Sequence, residues 1–229
     1  MRLARLAGVD VAPVGMVQIG NKQALAIERF DRAPSATRRG AWERHSMVSA
    51  LTVLGLTDMT ARYASYEDLA AMIRQSHAYP QVQLAELFSR ISFNILCGNT
   101  DDHARNTALF WDGTGLRLTP AYDICPQSRT GQIASQAMVI WHEDRSARLS
   151  TCLRAAPSFL LGQAEAKAII DRQIDTILTH YTQVCDEAAM GSVERDSIWG
   201  RQFLNPFAFE EWPDSYPLAQ VAVASYPER

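Results

Sequence analysis

Apolar residues recur at every third or fourth position in several stretches of the chain, a period that predicts α-helices with one buried face. The clearest stretch begins at Pro80 and ends at Gly98, where a glycine can adopt the left-handed backbone conformation that stops a helix. We therefore expect a core helix over residues 81–97. The same period predicts helices over residues 1–7, 42–54 and 163–188, and a further helix that begins at Ser65.

Short apolar segments separated by turn residues predict two β-hairpins. The first has strands over residues 15–19 and 24–30, joined by a turn at Gly20-Asn21-Lys22. The second has strands over residues 107–111 and 116–118. Residues 31–40 are expected to form a loop, and the C-terminal tail that holds Pro213, Pro217 and Pro227 is expected to be irregular. Since helices are combined with antiparallel hairpins, the predicted fold class is α+β, dominated by helices.

The composition is that of a globular protein, with 47% apolar and 21% charged residues. A net charge of -3 argues against an autonomous nucleic-acid-binding domain, which usually carries a basic excess. The four cysteines lie far apart without metal-binding spacing, as expected for reduced thiols. We expect neither a membrane span nor a signal peptide, and therefore a cytoplasmic location.

The residues that predict chemistry are concentrated at Gly98-Asn99-Thr100-Asp101-Asp102-His103-Ala104-Arg105-Asn106, directly after the core helix. Catalytic loops of phosphoryl-transfer enzymes place an Asp, which takes the proton of the attacking hydroxyl, five residues before a metal-binding Asn. Asp101 and Asn106 have this spacing. Asp123, after the second hairpin, supplies a further carboxylate. Since hard oxygen ligands suit Mg²⁺, Asn106 and Asp123 are the candidate metal ligands.

The run of acidic residues and histidine at positions 101–103 also permits a different chemistry, that of a metallohydrolase in which Asp and His side chains share metal ions. Such a site needs further ligands elsewhere in the chain. The remaining histidines show no recognisable ligand spacing; they are His45, His77, His142 and His180. Phosphoryl transfer therefore agrees better with the sequence.

Three motifs resemble the HipA family, whose members are Ser/Thr kinases that act as toxins in bacterial toxin–antitoxin modules. The motifs are the loop at residues 98–106, Leu118-Thr119-Pro120-Ala121-Tyr122-Asp123-Ile124, and Ala24-Leu25-Ala26-Ile27-Glu28-Arg29-Phe30-Asp31-Arg32. The resemblance is strongest over residues 20–126 and weak after about residue 190. It implies a protein-kinase-like C-lobe that is mainly helical, with an N-terminal β-hairpin and a second hairpin at the catalytic loop.

The resemblance also implies roles for individual residues, with ATP and Mg²⁺ as cofactors. Asp101 would be the catalytic base, and Asn106 and Asp123 would bind the metal and the nucleotide. Further nucleotide contacts are expected from the segment between the lobes, from the catalytic loop and from the residue before Asp123; these are Glu28, Arg29, Phe30, His103, Arg105 and Tyr122.

Two positions depart from the family motif. Arg105 replaces a family Lys, which keeps the charge but changes its geometry. Asp102 stands where the family commonly has Gly. A second carboxylate at this position could repel Asp101 and raise the pKa of that residue, or it could point to solvent.

The resemblance divides the chain into residues 1–32, a remnant of an N-lobe with a helix end, a hairpin and a hinge, and residues 33–229, a helical C-lobe. Kinases also need a phosphate-binding loop and a strand Lys. We find no Gly-rich phosphate loop, and the two lysines are Lys22, in a turn, and Lys167, in a late helix. We therefore expect little activity from this chain unless an N-lobe is supplied elsewhere.

Two hypotheses about function remain open. In the first, the chain belongs to a toxin kinase whose partners are an antitoxin, a separately encoded N-lobe and a protein substrate, by analogy an aminoacyl-tRNA synthetase. DNA would be contacted only indirectly, through the antitoxin. In the second, the chain is a catalytically inactive kinase-like module that binds an antitoxin or another partner. The retained acidic and amide residues favour the first hypothesis, and the missing phosphate loop favours the second.

Overall fold

In the computed structural model, which describes residues 1–76 and 80–212, seven α-helices and seven short β-strands are found. The helices are α1 (Arg2–Leu6), α2 (Ala50–Val53), α3 (Tyr66–Ser76), α4 (Gln81–Cys97), α5 (Leu149–Ala155), α6 (Gln163–Glu187) and α7 (Ser192–Ile198). The strands are β1 (Val14–Ile19), β2 (Lys22–Ile27), β3 (Arg32–Pro34), β4 (Trp42–Arg44), β5 (Met47–Ser49), β6 (Ala108–Trp111) and β7 (Leu116–Leu118). Within the described residues, no helix is sufficiently long and apolar to cross a membrane.

Helix α4 is the centre of the core, as its apolar period predicted. Every residue from Leu87 to Cys97 is buried, including the polar ones. A helix buried on all sides must satisfy its polar side chains internally. Gln173 of α6 does this, because its Nε2 donates to Ser89 Oγ at 2.8 Å and its Oε1 accepts from Ser92 Oγ at 2.8 Å. These bonds fix α4 against α6.

Arg90 connects α4 to the segment that carries Asp123. Its guanidinium is 5% exposed, donates to Glu86 at 2.7 Å and donates to the carbonyl oxygen of Thr119 at 2.7 Å. Thr119 directly follows β7. The end of the second hairpin is therefore held against the same helix that leads into the predicted catalytic loop, residues 98–106.

Gly98 ends α4 in the left-handed conformation, with φ of 71°, as predicted. A Cβ atom at this position would lie 2.7 Å from the carbonyl oxygen of Gln202, so only glycine fits without a shift of the backbone. Its own carbonyl oxygen accepts from Gln127 N at 3.0 Å. Gly98 is thus the point where three segments meet. They are the predicted catalytic loop, the segment after Asp123 and the turn at residues 200–205, which we call the C-terminal turn.

The N-terminal hairpin is confirmed, with β1 and β2 paired from Val14↔Ile27 to Ile19↔Lys22. Its strands differ slightly from prediction, because β2 already begins at Lys22 and ends at Ile27. The hairpin forms a two-stranded sheet, and several large apolar side chains of it are exposed; these are Met16, Val17, Ile19, Leu25 and Ile27.

The second hairpin, β6–β7, is also confirmed and gains a third strand, since β5 pairs antiparallel with β6. The helix predicted over residues 42–54 is therefore wrong in its first part. Only Ala50–Val53 is helical, and Ser49 caps it by accepting from Thr52 N. The loop predicted at residues 31–40 likewise contains β3, which pairs with β4. Pairing with another strand, close in sequence for β4 and distant for β5, overrides the local apolar period at these positions.

The remaining predicted elements agree with the structure. Ser65 caps α3 by accepting from the backbone N–H groups of Glu67 and Asp68. The long helix predicted at residues 163–188 is α6. The predicted tail around Pro213, Pro217 and Pro227 lies outside the described residues, as does His77.

Candidate active site

Hydrogen bonds within the catalytic loop bring Asn106 next to Asp101. The backbone N–H of His103 donates to the carbonyl oxygen of Asp101 at 2.8 Å, and that of Asn106 donates to His103 at 2.8 Å. The side-chain Nδ2 of Asn106 then returns to the carbonyl oxygen of Asp101 at 3.2 Å. Because the amide nitrogen is used in this way, the amide oxygen of Asn106 is the atom suited to bind a cation.

Two side-chain bonds join this loop to the segment that carries Asp123. The hydroxyl of Tyr122 donates to the carbonyl oxygen of Arg105 at 2.7 Å, and Asn99 Nδ2 donates to the carbonyl oxygen of Asp123 at 3.4 Å. Asp123 itself has φ of 56°, a left-handed conformation that Asp tolerates better than most residues. The side chains of Asp101 and Asp123 are both exposed. The structure thus brings the loop of Asp101 and Asn106 together with the segment of Asp123.

Asp102 points into the protein, so the expectation that it could point to solvent is wrong. Its carboxylate is 6% exposed and accepts two hydrogen bonds, from the Tyr66 hydroxyl at 2.5 Å and from Asn94 Nδ2 at 2.8 Å. Burial raises the pKa of Asp102, and the bond from Tyr66 and the charge of Arg90 partly oppose this shift. Asp102 therefore anchors the catalytic loop to α3 and α4.

Tyr66, Asn94 and Asn99 are site-forming residues that sequence reasoning missed. Asn94 and Asn99 are connected to each other, since Asn99 Nδ2 also donates to Asn94 Oδ1 at 3.0 Å. A chain of buried polar groups therefore runs from Asp102 through Asn94 and Asn99 to the backbone of Asp123. For Asn94 the available signal was a polar residue between Phe93 and Ile95, in the apolar last turn of α4.

Of the three hinge residues, Phe30 is the one whose side chain reaches the candidate site. Its ring lies 5.6 Å from that of Tyr122 and 6.0 Å from that of Phe110, measured between centroids. Arg29 instead forms a two-bond pair with Asp31, at 2.8 and 2.7 Å. This pairing, together with Arg32, holds the pKa of Asp31 well below its usual range.

Glu28 is exposed, and its backbone N–H donates to the carbonyl oxygen of Pro13 at 2.8 Å. That donor is consequently not available to a ligand. Any backbone contact from the hinge to an adenine ring would have to use the carbonyl group of Glu28 or the groups that follow it.

The two remaining predicted nucleotide contacts have different surroundings. Arg105 is exposed and pairs with the carboxylate of Asp58. His103 is half-buried, and within the described residues its Nδ1 is buried without a hydrogen-bond partner. Buried polar atoms normally have a partner, so Nδ1 marks a place where an oxygen atom of a ligand or water would complete the site.

Tyr122 forms one wall of the site and keeps its hydroxyl protonated. Burial, followed by the nearby carboxylates of Asp102 and Asp123, raises the pKa of Tyr122 to about 12. The hydroxyl is therefore a hydrogen-bond donor at neutral pH, consistent with its bond to Arg105. Together with Phe30 it presents aromatic surface next to the exposed carboxylate of Asp123.

The donor set at this site fits Mg²⁺ held together with a nucleotide. Across residues 1–76 and 80–212 there is no group of three or more His, Cys, Asp or Glu that could hold a metal ion, and such a group is what a metallohydrolase would use. Asn106 and Asp123 offer one amide and one carboxylate oxygen. In phosphoryl-transfer sites Mg²⁺ takes few ligands from the protein and the others from phosphates and water.

Comparisons with known proteins agree with the motifs. A family model described as the HipA-like C-terminal domain matches residues 1–181. The serine/threonine-protein kinase toxin HipA of Shewanella oneidensis is 31% identical over 143 residues, which cover 54% of this chain and 32% of that protein. The chain covers 30% to 44% of the length of four curated relatives, so it spans less than half of each of them.

Two solved structures share the fold. A chain from the Shewanella oneidensis MR-1 complex of HipA, HipB and operator DNA aligns with a TM-score of 0.72 at 20% identity, covering 91% of this chain and 56% of that one. The Helicobacter pylori proinflammatory kinase CtkA aligns with a TM-score of 0.57 at 13% identity, covering 91% of this chain and 83% of that one. The predicted α+β, kinase-like C-lobe fold is confirmed.

Proposed function

The chain belongs to the HipA-like C-terminal domain family, and on this basis we propose that it is the catalytic C-lobe of an ATP-dependent Ser/Thr protein kinase that acts as a toxin in the cytoplasm. The observation that carries the proposal is the link between the loop of Asp101 and Asn106 and the segment of Asp123. These are the three residues that phosphoryl transfer requires from a C-lobe. Hydrogen bonds through Tyr122 and Asn99 support their placement.

Each of these residues has a chemical task in the proposed reaction. The exposed carboxylate of Asp101 orients the acceptor hydroxyl and takes its proton as that oxygen bonds to the γ-phosphorus of ATP, while ADP leaves. Asn106 and Asp123 would hold Mg²⁺, which would neutralise charge on the phosphates when bound. Asp102 does not enter the reaction but holds the loop in position through its hydrogen bonds with Tyr66 and Asn94. Catalysis of this kind depends mainly on positioning and on charge stabilisation.

The nucleotide would lie between the hinge and the catalytic loop. Phe30 and Tyr122 offer apolar ring surface for the purine. His103, with its buried Nδ1, lies on the loop near the expected phosphate position, and so does Arg105, whose present partner is Asp58. A phosphate group would compete with that carboxylate for the guanidinium, because phosphate accepts two parallel bonds from arginine equally well.

The N-terminal hairpin is the proposed contact for an N-lobe. Its exposed apolar side chains, such as Leu25 and Met16, are paired across the strands at Met16↔Leu25. This face borders a groove of about 500 Å³ that Val14, Ile124 and Val184 also line. An N-lobe that extends the two-stranded sheet and covers this groove would bury this apolar surface and supply the phosphate loop.

The proposed partners follow from the family. The Shewanella HipA was solved with HipB and operator DNA, so an antitoxin is the proposed regulatory partner and DNA would be contacted only through it. The proposed substrate is a protein, by analogy an aminoacyl-tRNA synthetase. We infer these partners by analogy with relatives that are longer than this chain.

A second function, that of an inactive binding module, is favoured by the positions of the two lysines. Lys22 opens β2 at the far end of the hairpin, about 17 Å along the strand from Ile27. Lys167 is on α6 and pairs with Asp171 at 2.7 Å. Neither position matches that of a strand lysine facing the phosphates.

Phosphoryl transfer from labelled ATP tests the two functions against each other. The chain is incubated with Mg²⁺, labelled ATP and a generic protein substrate, with and without a separately expressed N-lobe of a HipA relative. The kinase function predicts transfer with the N-lobe and its loss in the Asp101→Ala variant. No transfer under any condition, with antitoxin binding retained by Asp101→Ala, would favour the binding module.

A further inference from the structure

A polar groove lies beside the catalytic loop, between the segment of residues 128–135 and the turn of residues 200–205. Its larger part, of about 490 Å³, is lined by Arg129, Thr130, Gly131, Gln132, Arg201 and Asn205. The same segment borders a smaller depression of about 250 Å³, which reaches Thr100. Thr100 directly precedes Asp101, so the groove leads to the proposed base.

Both walls of the groove are fixed to Gly98, three residues before Asp101. On one side Gln127 N donates to the Gly98 carbonyl at 3.0 Å, immediately before the 128–135 segment. On the other side the backbone of Gln202 packs directly on Gly98, and Leu204 N donates to the Leu96 carbonyl at 2.8 Å. The distance from the groove to the base is therefore set by backbone contacts, which is the rigidity that positioning of an acceptor requires.

The lining of the groove is cationic and hydroxylic. Arg129 and Arg201 supply positive charge, and Ser128, Thr130 and Ser135 supply hydroxyl groups. Among the residues that the structure describes, no carboxylate lines either depression. Arg201 is exposed, and within residues 1–76 and 80–212 no carboxylate forms an ion pair with it. In a chain with a net charge of -3, such a site favours an anionic ligand.

We propose, resting on the kinase function above, that this groove docks the acceptor segment of the protein substrate and selects acidic residues near its Ser or Thr. Arg201 would pair with an acidic side chain of the substrate while the hydroxyl lies at Asp101. Within residues 1–76 and 80–212 no aromatic side chain lines the groove, and binding of single-stranded nucleic acid usually relies on aromatic stacking. A peptide therefore fits the groove better than a nucleic acid.

Binding of labelled peptides to the full chain tests the selectivity without requiring activity. Three fluorescent peptides carry one Ser flanked by Glu, by Gln or by Lys, and their affinities are measured by anisotropy. We expect the Glu peptide to bind most tightly. Arg201→Ala should weaken its binding about two- to fivefold, the range of a partly exposed ion pair, and Arg201→Lys should restore most of it. Arg39→Ala, which removes an exposed arginine elsewhere, should have no effect.

Crosslinking tests the location. A photoreactive residue is placed at Ile133, which lines the groove and is 81% exposed, or at Val193, which is equally apolar, 84% exposed and lies on α7. We expect the Glu peptide to crosslink at Ile133 and not at Val193. Equal crosslinking at the two positions, or displacement of the peptide by a single-stranded oligonucleotide of equal charge, would overturn the inference.

The assembled kinase separates this inference from the proposed function. Equal rates of transfer to the Glu and Gln peptides, unchanged by Arg201→Ala, would overturn the acidic selectivity while the kinase function stands. Selective binding with no transfer in the presence of an N-lobe would contradict the kinase function, and with it the acceptor role of the groove.

Discussion

The hydroxyl of Tyr66 on α3 donates a 2.5 Å hydrogen bond to the buried carboxylate of Asp102, the neighbour of the proposed base. The same carboxylate oxygen accepts from Asn94 on α4. Two helices thus hold the catalytic loop from inside while Asp101 remains exposed. The side chain of Asp102 is therefore an anchor for the loop that the Gly expected from the family motif could not provide.

Replacement of Asp102 by Asn should change how stability depends on pH. Because the pKa of Asp102 is raised in the folded protein, its stabilising contribution is complete below the unfolded value of about 3.9 and is lost as pH rises through the folded value. The amide oxygen of Asn can still accept from Tyr66 and Asn94. We expect the Asp102→Asn variant to gain stability relative to the wild type as pH rises, measured by urea unfolding at several pH values.

The Asp102→Ala variant is the control for this experiment. It leaves the Tyr66 hydroxyl and the Asn94 amide without their acceptor, which should cost about 1–3 kcal/mol of the free energy of unfolding at neutral pH. A difference between Asp102→Asn and the wild type that stays constant from acid to neutral pH would contradict the assigned pKa direction.

Substitution of Gly98 by Ala should be far more damaging than the same change at Gly55. Both glycines have a left-handed backbone, with φ of 71° and 67°, which costs an L-residue about 1–2 kcal/mol. At Gly55 a Cβ atom meets nothing within 4 Å, whereas at Gly98 it lies 2.7 Å from Gln202. We expect losses of about 1–2 kcal/mol for Gly55→Ala and about 2–5 kcal/mol for Gly98→Ala in urea unfolding. Equal losses of unfolding free energy in the two variants would mean that the Gln202 backbone moves aside at little cost.

Asp101→Ala should remove phosphoryl transfer without removing nucleotide binding. A general base typically contributes about 10²- to 10⁴-fold to the rate. Within the described residues the Asp101 carboxylate accepts no hydrogen bond from the loop; the loop bonds use its carbonyl oxygen instead. The rate is measured in the presence of an N-lobe, and the affinity for an ATP analogue by calorimetry. Asp175→Ala, which removes an exposed carboxylate on α6, should leave both quantities unchanged. Loss of analogue affinity in Asp101→Ala would assign this residue to binding instead.

Asp123→Asn should weaken Mg²⁺-dependent binding of an ATP analogue while preserving the fold. Asn tolerates the left-handed backbone at φ of 56° and keeps one oxygen ligand, but it lacks the charge that attracts Mg²⁺. We expect a loss of about tenfold or more, since even outer-shell changes at metal sites reach this size. The affinity is measured by titration with and without Mg²⁺. Equal affinities of the variant and the wild type in Mg²⁺ would reject Asp123 as a ligand.

Some of this structure could be predicted from the sequence because the signals are local. The apolar period and the glycine stop predict α4 from its own residues, and turn residues predict the two hairpins. The spacing of Asp101 and Asn106 is also local, because one loop carries both. The family motif then placed Asp123 beside them, and the bonds from Tyr122 and Asn99 are consistent with that placement.

Other features depend on residues far away in the sequence. Met47–Ser49 is a strand only because β6, about 60 residues later, pairs with it, so the local helical period was misleading. The inward direction of Asp102 depends on Tyr66, 36 residues earlier. The groove at Arg201 depends on the turn of residues 200–205, whose Gln202 backbone packs on Gly98. None of these relationships has a local sequence pattern.

The pairing of β5 with β6 has a consequence for the order of folding. It joins Met47 to Phe110, roughly 60 residues apart, whereas β6 and β7 are adjacent in sequence. Closing the longer loop costs more entropy, so β5 should join the sheet after α3, α4 and the β6–β7 hairpin have formed. Until then residues 47–54 lack their distant partner, β6. During that interval their helical period is unopposed, and the helix that the sequence predicts there is a conformation that the nascent chain can visit on its way to the sheet.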